Sequence, residues 1–263
     1  MNSAAHHAHA GHHGHQGGHG DHGSHGHAAA SAVSHRLELA TPRVTAGEKT
    51  DLRFSVIEDG EHGPRLLASS AEYEESHGKE LHLIVASRDL SVYRHLHPVL
   101  GGDGIWSVPV ELPKGGEYRV FADFRPHGGD PVTAVAVLLA EGAGEPVALP
   151  EPTGVALVDG YEVRLDGELV GGEGGALVFS VHKDGQPVTD LQPYLGAYGH
   201  LVALRAADLA YLHVHPGGEP GDGVTPAGPE VSFHAVAGGP GPYGLFLDFR
   251  HGDVVRTAAF TTR

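Results

Sequence analysis

Residues 81–98 read Leu81-His82-Leu83-Ile84-Val85-Ala86-Ser87, then the break Arg88-Asp89-Leu90, then Ser91-Val92-Tyr93-Arg94-His95-Leu96-His97-Pro98. Two short apolar runs on either side of a polar interruption form a β-hairpin signal. In an antiparallel hairpin each residue pairs with its mirror image about the turn. If His82 faces either His95 or His97, the turn centre falls between Arg88 and Leu90, at the break itself. Residues two apart on a strand share a face, so His95 and His97 project together while Leu96 points the other way, toward a core.

The same texture continues on both sides. From Leu37 onward the chain is a series of short β-rich runs, such as Leu52-Arg53-Phe54-Ser55-Val56 and the stretch from Tyr118 to Phe124, cut by loops such as Gly101-Gly102-Asp103-Gly104. No useful length shows helical periodicity, so the expected fold is all-β, a sandwich of antiparallel sheets. Glu141 to Thr153, with Pro146, Pro150 and Pro152, has linker composition and divides the chain into comparable halves.

The halves repeat one another. Phe54-Ser55-Val56 with Asp59-Gly60 returns 125 positions on as Phe179-Ser180-Val181 with Asp184-Gly185. His82 and His95-Leu96-His97-Pro98 return 118 positions on as His200 and His213-Val214-His215-Pro216. Tyr118, Phe121, Asp123, Phe124 and Arg125 return as Tyr243, Phe246, Asp248, Phe249 and Arg250, at 125 again. Module 1 therefore has about seven extra residues before its first His, and module 2 about seven more after its H-x-H-P, both in loop-like sequence where insertions are cheap. The mirror sum for His200 places the second turn at Ala206 to Asp208. The organisation is a disordered His-rich tail (1–35), a β-sandwich module (36–141), a Pro-rich linker (142–153) and a second β-sandwich (154–263), with immunoglobulin-like or cupredoxin-like modules.

Composition removes several functions. With 33 acidic against 17 basic residues and a formal charge of −16, the chain repels phosphate backbones, so nucleic acid is not an expected partner. There is no Cys, which excludes disulfides, thiolate metal sites and cysteine nucleophiles. The chain shows neither a basic-then-apolar leader nor an apolar run of about eighteen residues. What it has in excess is histidine, 23 residues, without soft sulfur beyond Met1. Imidazole nitrogen suits Cu(II), Zn(II) and Ni(II).

Each module retains three histidines with one internal spacing, His82, His95 and His97 in the first and His200, His213 and His215 in the second. Opposed side chains on neighbouring strands sit about 5 Å apart at Cβ, close enough for three imidazoles to share one ion. Asp123 and Asp248 lie mid-strand among apolar neighbours, a costly place for a carboxylate without a partner. Each either ligates the metal, orients a ligand His, or forms an ion pair, Asp123 with Arg88 or Arg125 and Asp248 with Arg205 or Arg250. His62, His77, His127, His182, His234 and His251 have no repeated counterpart and read as surface residues, with His77 and His127 the exceptions to watch. In the tail, His6, His7, His9, His12, His13, His15, His19, His22, His25 and His27 in Gly-rich sequence form a loose binder suited to buffering or delivery.

The motifs SHGKELHLIVASRDL (76–90), HLHP (95–98) and YRVFADF (118–124), with LQPYLGAYGHLVALR (191–205), DLAYLHVHP (208–216) and YGLFLDFRHG (243–252), resemble a family of uncharacterised bacterial cell-envelope proteins with two such modules. More loosely they are similar to the immunoglobulin-like or cupredoxin-like domains of envelope copper proteins, including the YtkA-like group. The resemblance implies an extracytoplasmic role, and whether a membrane protein of the envelope is a partner that receives the ion stays open. It supplies no activity. H-x-H on strands also occurs in cupins, but these place a Glu shortly afterwards, where this chain has Val99-Leu100-Gly101 and Gly217-Gly218. The expected function is binding, buffering or delivery of a divalent transition metal, Cu(II) or Zn(II) ahead of Ni(II), by a protein that is not an enzyme. The alternatives are a structural or adhesive envelope protein and, third, a copper-dependent redox enzyme. Oligomeric state, and whether the modules bind independently or share a site, stay open.

Overall fold

The computed structural model describes residues 33–212 and 214–262. The tail histidines and His213 lie outside the described residues, as does the side chain of His215. Val33–Arg263 is one compact unit. No helix among the described residues is long and apolar enough to cross a membrane.

The first module contains β1 (Ser34–Leu39), β2 (Arg43–Thr45), β3 (Lys49–Gly60), β4 (Gly63–Leu66), β5 (Tyr73–Glu74), β6 (Leu81–Ser87), β7 (Tyr93–Leu96), β8 (Val99–Leu100), β9 (Trp106–Glu111), β10 (Gly116–Pro126) and β11 (Val132–Glu141). Its outer sheet runs β1-β3-β9-β8 with β4 on β3, and its inner sheet runs β2-β11-β10-β6-β7 with β5 on β10. The second module contains β12 (Val155–Val158), β13 (Tyr161–Asp166), β14 (Gly175–Lys183), β15 (Gln186–Pro187), β16 (His200–Arg205), β17 (Tyr211–Leu212), β18 (Val214–Pro216), β19 (Glu230–Ala235), β20 (Tyr243–His251) and β21 (Val254–Thr262). Its outer sheet is β12-β13-β14-β19-β18 with β15 on β14, and its inner sheet is β17-β16-β20-β21. The protein is therefore all-β, two tandem sandwiches, antiparallel except where β2 lies parallel to β11.

Each sandwich closes over its own core. Phe54, Trp106, Tyr118 and Leu83 belong to the first, and Phe179, Tyr243, Phe249 and Leu201 to the second. A third cluster joins Ile84, Ala86, Leu90, Tyr93 and Phe121 to Val202, Leu204, Leu209 and Phe246, so the two inner sheets pack face to face. Tyr93 stacks on Phe246 with centroids 4.1 Å apart, and Phe121 lies 5.6 Å from Tyr211, a pairing that follows the repeat. This contact explains why β6 and β20 are almost wholly buried, with apolar residues on both faces. Strands buried on both faces read as continuous hydrophobic runs rather than alternating ones.

Some details differ from the sequence expectation. Ser34 and His35, assigned to the tail, belong to β1, where the His35 ring packs edge-on against Phe124 at 5.6 Å. The extra residues of module 1 form β4 and a 3-10 turn, Ser70–Glu72, closed by a Ser69/Glu72 capping box, rather than plain loop. The linker carries no strand but is fastened down, because the Val147 N–H donates to Asp89 Oδ2 at 2.7 Å and Leu149 packs on the third cluster.

Candidate metal centre

Strand alternation places the histidines on the face where the modules meet. On β6, Leu81, Leu83 and Val85 enter the first core, while Ile84 and Ala86 enter the contact between modules, so His82 shares that second face. On β16, Leu201 and Ala203 enter the second core and Val202 and Leu204 the contact, so His200 does the same. In register, His82 lies opposite Asp123 and His200 opposite Asp248.

Both hairpin turns fall where the mirror sum put them. Ile84↔His95 and Leu83↔Leu96 centre the first between Asp89 and Leu90, and the next pair would set His97 against His82. Leu204↔Tyr211 and Ala203↔Leu212 centre the second between Ala207 and Asp208. Beyond Leu212, however, the second module departs from the hairpin. β18 pairs with β19 of the outer sheet, with His215 opposite His234 and Val214 packed on the second core.

Four imidazoles converge from the two modules. Ring centroids lie 5.4 Å apart for His82–His95, 5.3 Å for His82–His97, 4.9 Å for His95–His97, 4.7 Å for His95–His200 and 5.4 Å for His82–His200. One nitrogen each from His82, His95 and His97 lie within 4.8 Å of one another, and so do ligand atoms of His95, His200 and Asp248. His82 Nδ1 and His95 Nε2 are 3.2 Å apart. Two nitrogens bound tetrahedrally to one ion at Zn–N distances stand about 3.4 Å apart, so this pair already has the spacing of shared ligands.

The hydrogen bonds fix the tautomers. The Ser76 carbonyl only accepts, so His82 donates to it through Nε2–H at 3.0 Å, and neutral His82 turns the lone pair of Nδ1 toward His95. His95 Nδ1 stands 2.8 Å from Asp248 Oδ2, a carboxylate oxygen that only accepts, so Nδ1–H donates there while Nε2 faces His82 Nδ1. Thr257 Oγ1 donates to the other oxygen of Asp248. A metal ion held between His82 Nδ1 and His95 Nε2 leaves the bonds to Ser76 and Asp248 in place. A backbone carbonyl behind one ligand His and a carboxylate behind another is the support that metal-bound imidazoles ordinarily have.

Two more ring nitrogens, His97 Nε2 and His200 Nδ1, are buried without a hydrogen-bond partner. Burial lowers the pKa of His82 to about 4 and of His97 to about 3, and takes His200 well below its ordinary value. These three rings are neutral at pH 7, the state that ligates.

The carboxylates do not pair with the arginines named above. Asp248 pairs with His95; Arg88 donates to the carbonyls of Ala206 and Ala207, Arg205 pairs with Asp208, Arg250 with Asp253 and Arg125 with Glu74. Asp123 accepts from Thr133 Oγ1 at 3.1 Å, and burial, then the Asp123 charge, push the pKa of the Tyr211 hydroxyl up. Asp123 lines, with His77, His82 and His200, a cavity of about 130 Å³ beside the cluster. His77 stands 6.3 Å from His82 and 5.8 Å from His200, ring to ring. Having no repeated counterpart, it stood out in the sequence only by lying close to the trio. His127 is exposed and its backbone N–H bonds Glu72.

The family described as a domain of unknown function, DUF8832, matches residues 30–142 and again residues 156–263. The chain belongs to this family. The centre thus draws His82, His95 and His97 from the first DUF8832 copy and His200 and Asp248 from the second. No curated protein matches the sequence. Among solved structures, a tetra-tandem repeat from the extending region of a large adhesion protein is 12% identical over 88% of this chain and 49% of its own, with a TM-score of 0.29. The Yersinia pseudotuberculosis adhesin InvE is 10% identical over 88% of this chain and 60% of its own, TM-score 0.25. The fibronectin(III)-like modules of Clostridium thermocellum CbhA are 11% identical over 86% and 94%, TM-score 0.22. The chain spans about half the length of the first of these. Likenesses this distant say nothing about chemistry.

Proposed function

We propose that this DUF8832 protein binds one divalent transition metal ion, Cu(II) or Zn(II) ahead of Ni(II), through His82, His95, His97 and His200, with Asp248 orienting His95. The observation that carries the reading is the pair of buried, unpartnered nitrogens, His97 Nε2 and His200 Nδ1, inside a cluster of four imidazoles. An all-nitrogen set without thiolate favours these ions, and Cu(II) heads the affinity order. The role is binding, buffering or delivery, with the tail histidines as a looser store. By its family resemblance the protein works in the cell envelope, with a membrane protein there as the receiver of the ion.

The chain from Ser76 O through His82 and His95 to Asp248 supports a second reading, in which the cluster only fastens the modules together as structural or adhesive units. Calorimetric titration of Cu(II), Zn(II) and Ni(II) separates the two. All three hydrophobic clusters lie within Val33–Arg263, so a chain starting at Val33 retains every core and removes the tail's contribution. Binding by this chain that disappears in a folded His95→Ala, His97→Ala variant supports the metal centre. A chain that binds none of the three ions, with a variant that merely loses stability, leaves the structural reading.

A further inference from the structure

Two tight turns meet beside the cluster. In module 1, Ser76 and Lys79 exchange backbone hydrogen bonds of 2.8 and 3.1 Å around His77 (φ 52°) and Gly78 (φ 74°). In module 2, Tyr194 and Ala197 do the same around Leu195 (φ 54°) and Gly196 (φ 73°). Positive φ at both central positions suits Gly, Asn and Asp, and histidine is among the other side chains found there. The turns touch, since a Cβ on Gly196 would stand 3.6 Å from the His77 Cα and 3.9 Å from its Nδ1. At equivalent places one turn carries a metal-binding side chain and the other a leucine, so any role of His77 is one-sided.

His77 is exposed, while its ring reaches His82 and His200 edge-on. Between solvent and those two rings lies the cavity lined by Ser76, His77, His82, Asp123, His200 and Tyr211. His95 and Asp248 lie deeper, their side chains being 3% and 2% exposed. We propose that His77 is the loading ligand of the buried centre: it captures a hydrated divalent cation at the surface and passes it to His82 and His200 through this cavity. Capture replaces one bound water of the cation by the His77 imidazole, and the transfer then breaks that metal–imidazole bond as another forms, with no change of oxidation state. The inference rests on the metal-binding reading above.

A loading ligand changes rates in both directions and leaves the equilibrium nearly untouched. His77→Asn tests this without disturbing the turn, because asparagine tolerates positive φ. Cu(II) is mixed in stopped flow with the chain starting at Val33, following quenching of aromatic emission, and release is followed after a chase with excess EDTA. Association about tenfold slower than wild type, dissociation slower by a similar factor and an affinity changed by less than about threefold are the expected results. Leu195→Asn, the same change in the other turn, leaves both rates at the wild-type values. Unchanged rates in His77→Asn overturn the inference. So does a tenfold loss of affinity through faster release, which makes His77 a permanent ligand. A wild-type chain that takes up no Cu(II) removes the metal-binding reading itself.

Discussion

His97 and His200 each hold a buried ring nitrogen with no hydrogen-bond partner in the protein, an arrangement that costs about 1–3 kcal/mol per atom when left unsatisfied. A ligand that accepts those lone pairs turns the cost into affinity. His97→Leu therefore has opposite effects on the two states. In EDTA the variant should be as stable as wild type or about 1 kcal/mol more stable, because an apolar group replaces an unsatisfied one. In the presence of Cu(II) or Zn(II) it should lose most of the ligand-induced rise in melting temperature. Thermal unfolding under the two conditions measures both. The same burial sets the pH response of the metal-free protein. His82 and His97, lowered by burial to about 4 and about 3, stay neutral in the fold while the unfolded rings take up protons near pH 6.5. Stability is thus complete above about pH 6.5 and declines as pH falls toward the folded values, by about 2 kcal/mol per ring at pH 5. Urea midpoints at pH 7.5 and 5.0 test this, and a flat profile would mean that the rings are not buried neutral.

At the scale of elements, the β6–β7 turn supports the site from behind. Burial raises the pKa of Asp89, but Lys114, the Ser87 hydroxyl, the Val147 N–H and Ser91 outweigh it and hold the carboxyl well below the usual range. The same side chain thereby pins the turn to the segment between modules. Asp89→Ala should cost about 2 kcal/mol in urea unfolding, since it strands several charge-assisted donors at once. The location of this turn was legible, because the mirror rule needs only the positions of His82, His95 and His97 and the break at Arg88-Asp89. The path of the second H-x-H-P was not. His213-Val214-His215-Pro216 alternates identically whether it continues β17 or crosses to β19, and the choice depends on which sheet offers Val214 a core. The 3-10 turn at Ser70–Glu72 did carry its own signal, Ser69 three residues before Glu72, within a stretch that reads as loop.

For the whole molecule, the repeat in sequence leaves open whether each module has its own site, and the fold brings His200 of the second module onto His82 and His95 of the first. Alternation shows that His82 and His200 face away from the core beneath their strands but cannot show what lies on the other side. The hint lay in β6 and β20, too apolar on both faces for a sheet with one side in water. The proposed centre, built from both modules, predicts one ion per chain and an affinity that depends on how the modules dock. Gly244 on β20 tests that dependence without touching a ligand. A Cβ there would meet Leu90 Cδ1 at 3.0 Å and Phe246 Cε2 at 3.3 Å, and Leu90, held at φ 58° in its tight turn, has little freedom to retreat. Gly244→Val should overfill the contact between modules at a cost of about 1–3 kcal/mol, while leaving each module's own core intact. If docking and binding are coupled, that cost appears as roughly tenfold weaker Cu(II) binding at unchanged stoichiometry of one, because about 1.4 kcal/mol is a factor of ten. Calorimetry on the chain starting at Val33 gives affinity and stoichiometry together. Two ions per chain, or an affinity indifferent to Gly244→Val in a folded protein, would mean that each module binds metal independently.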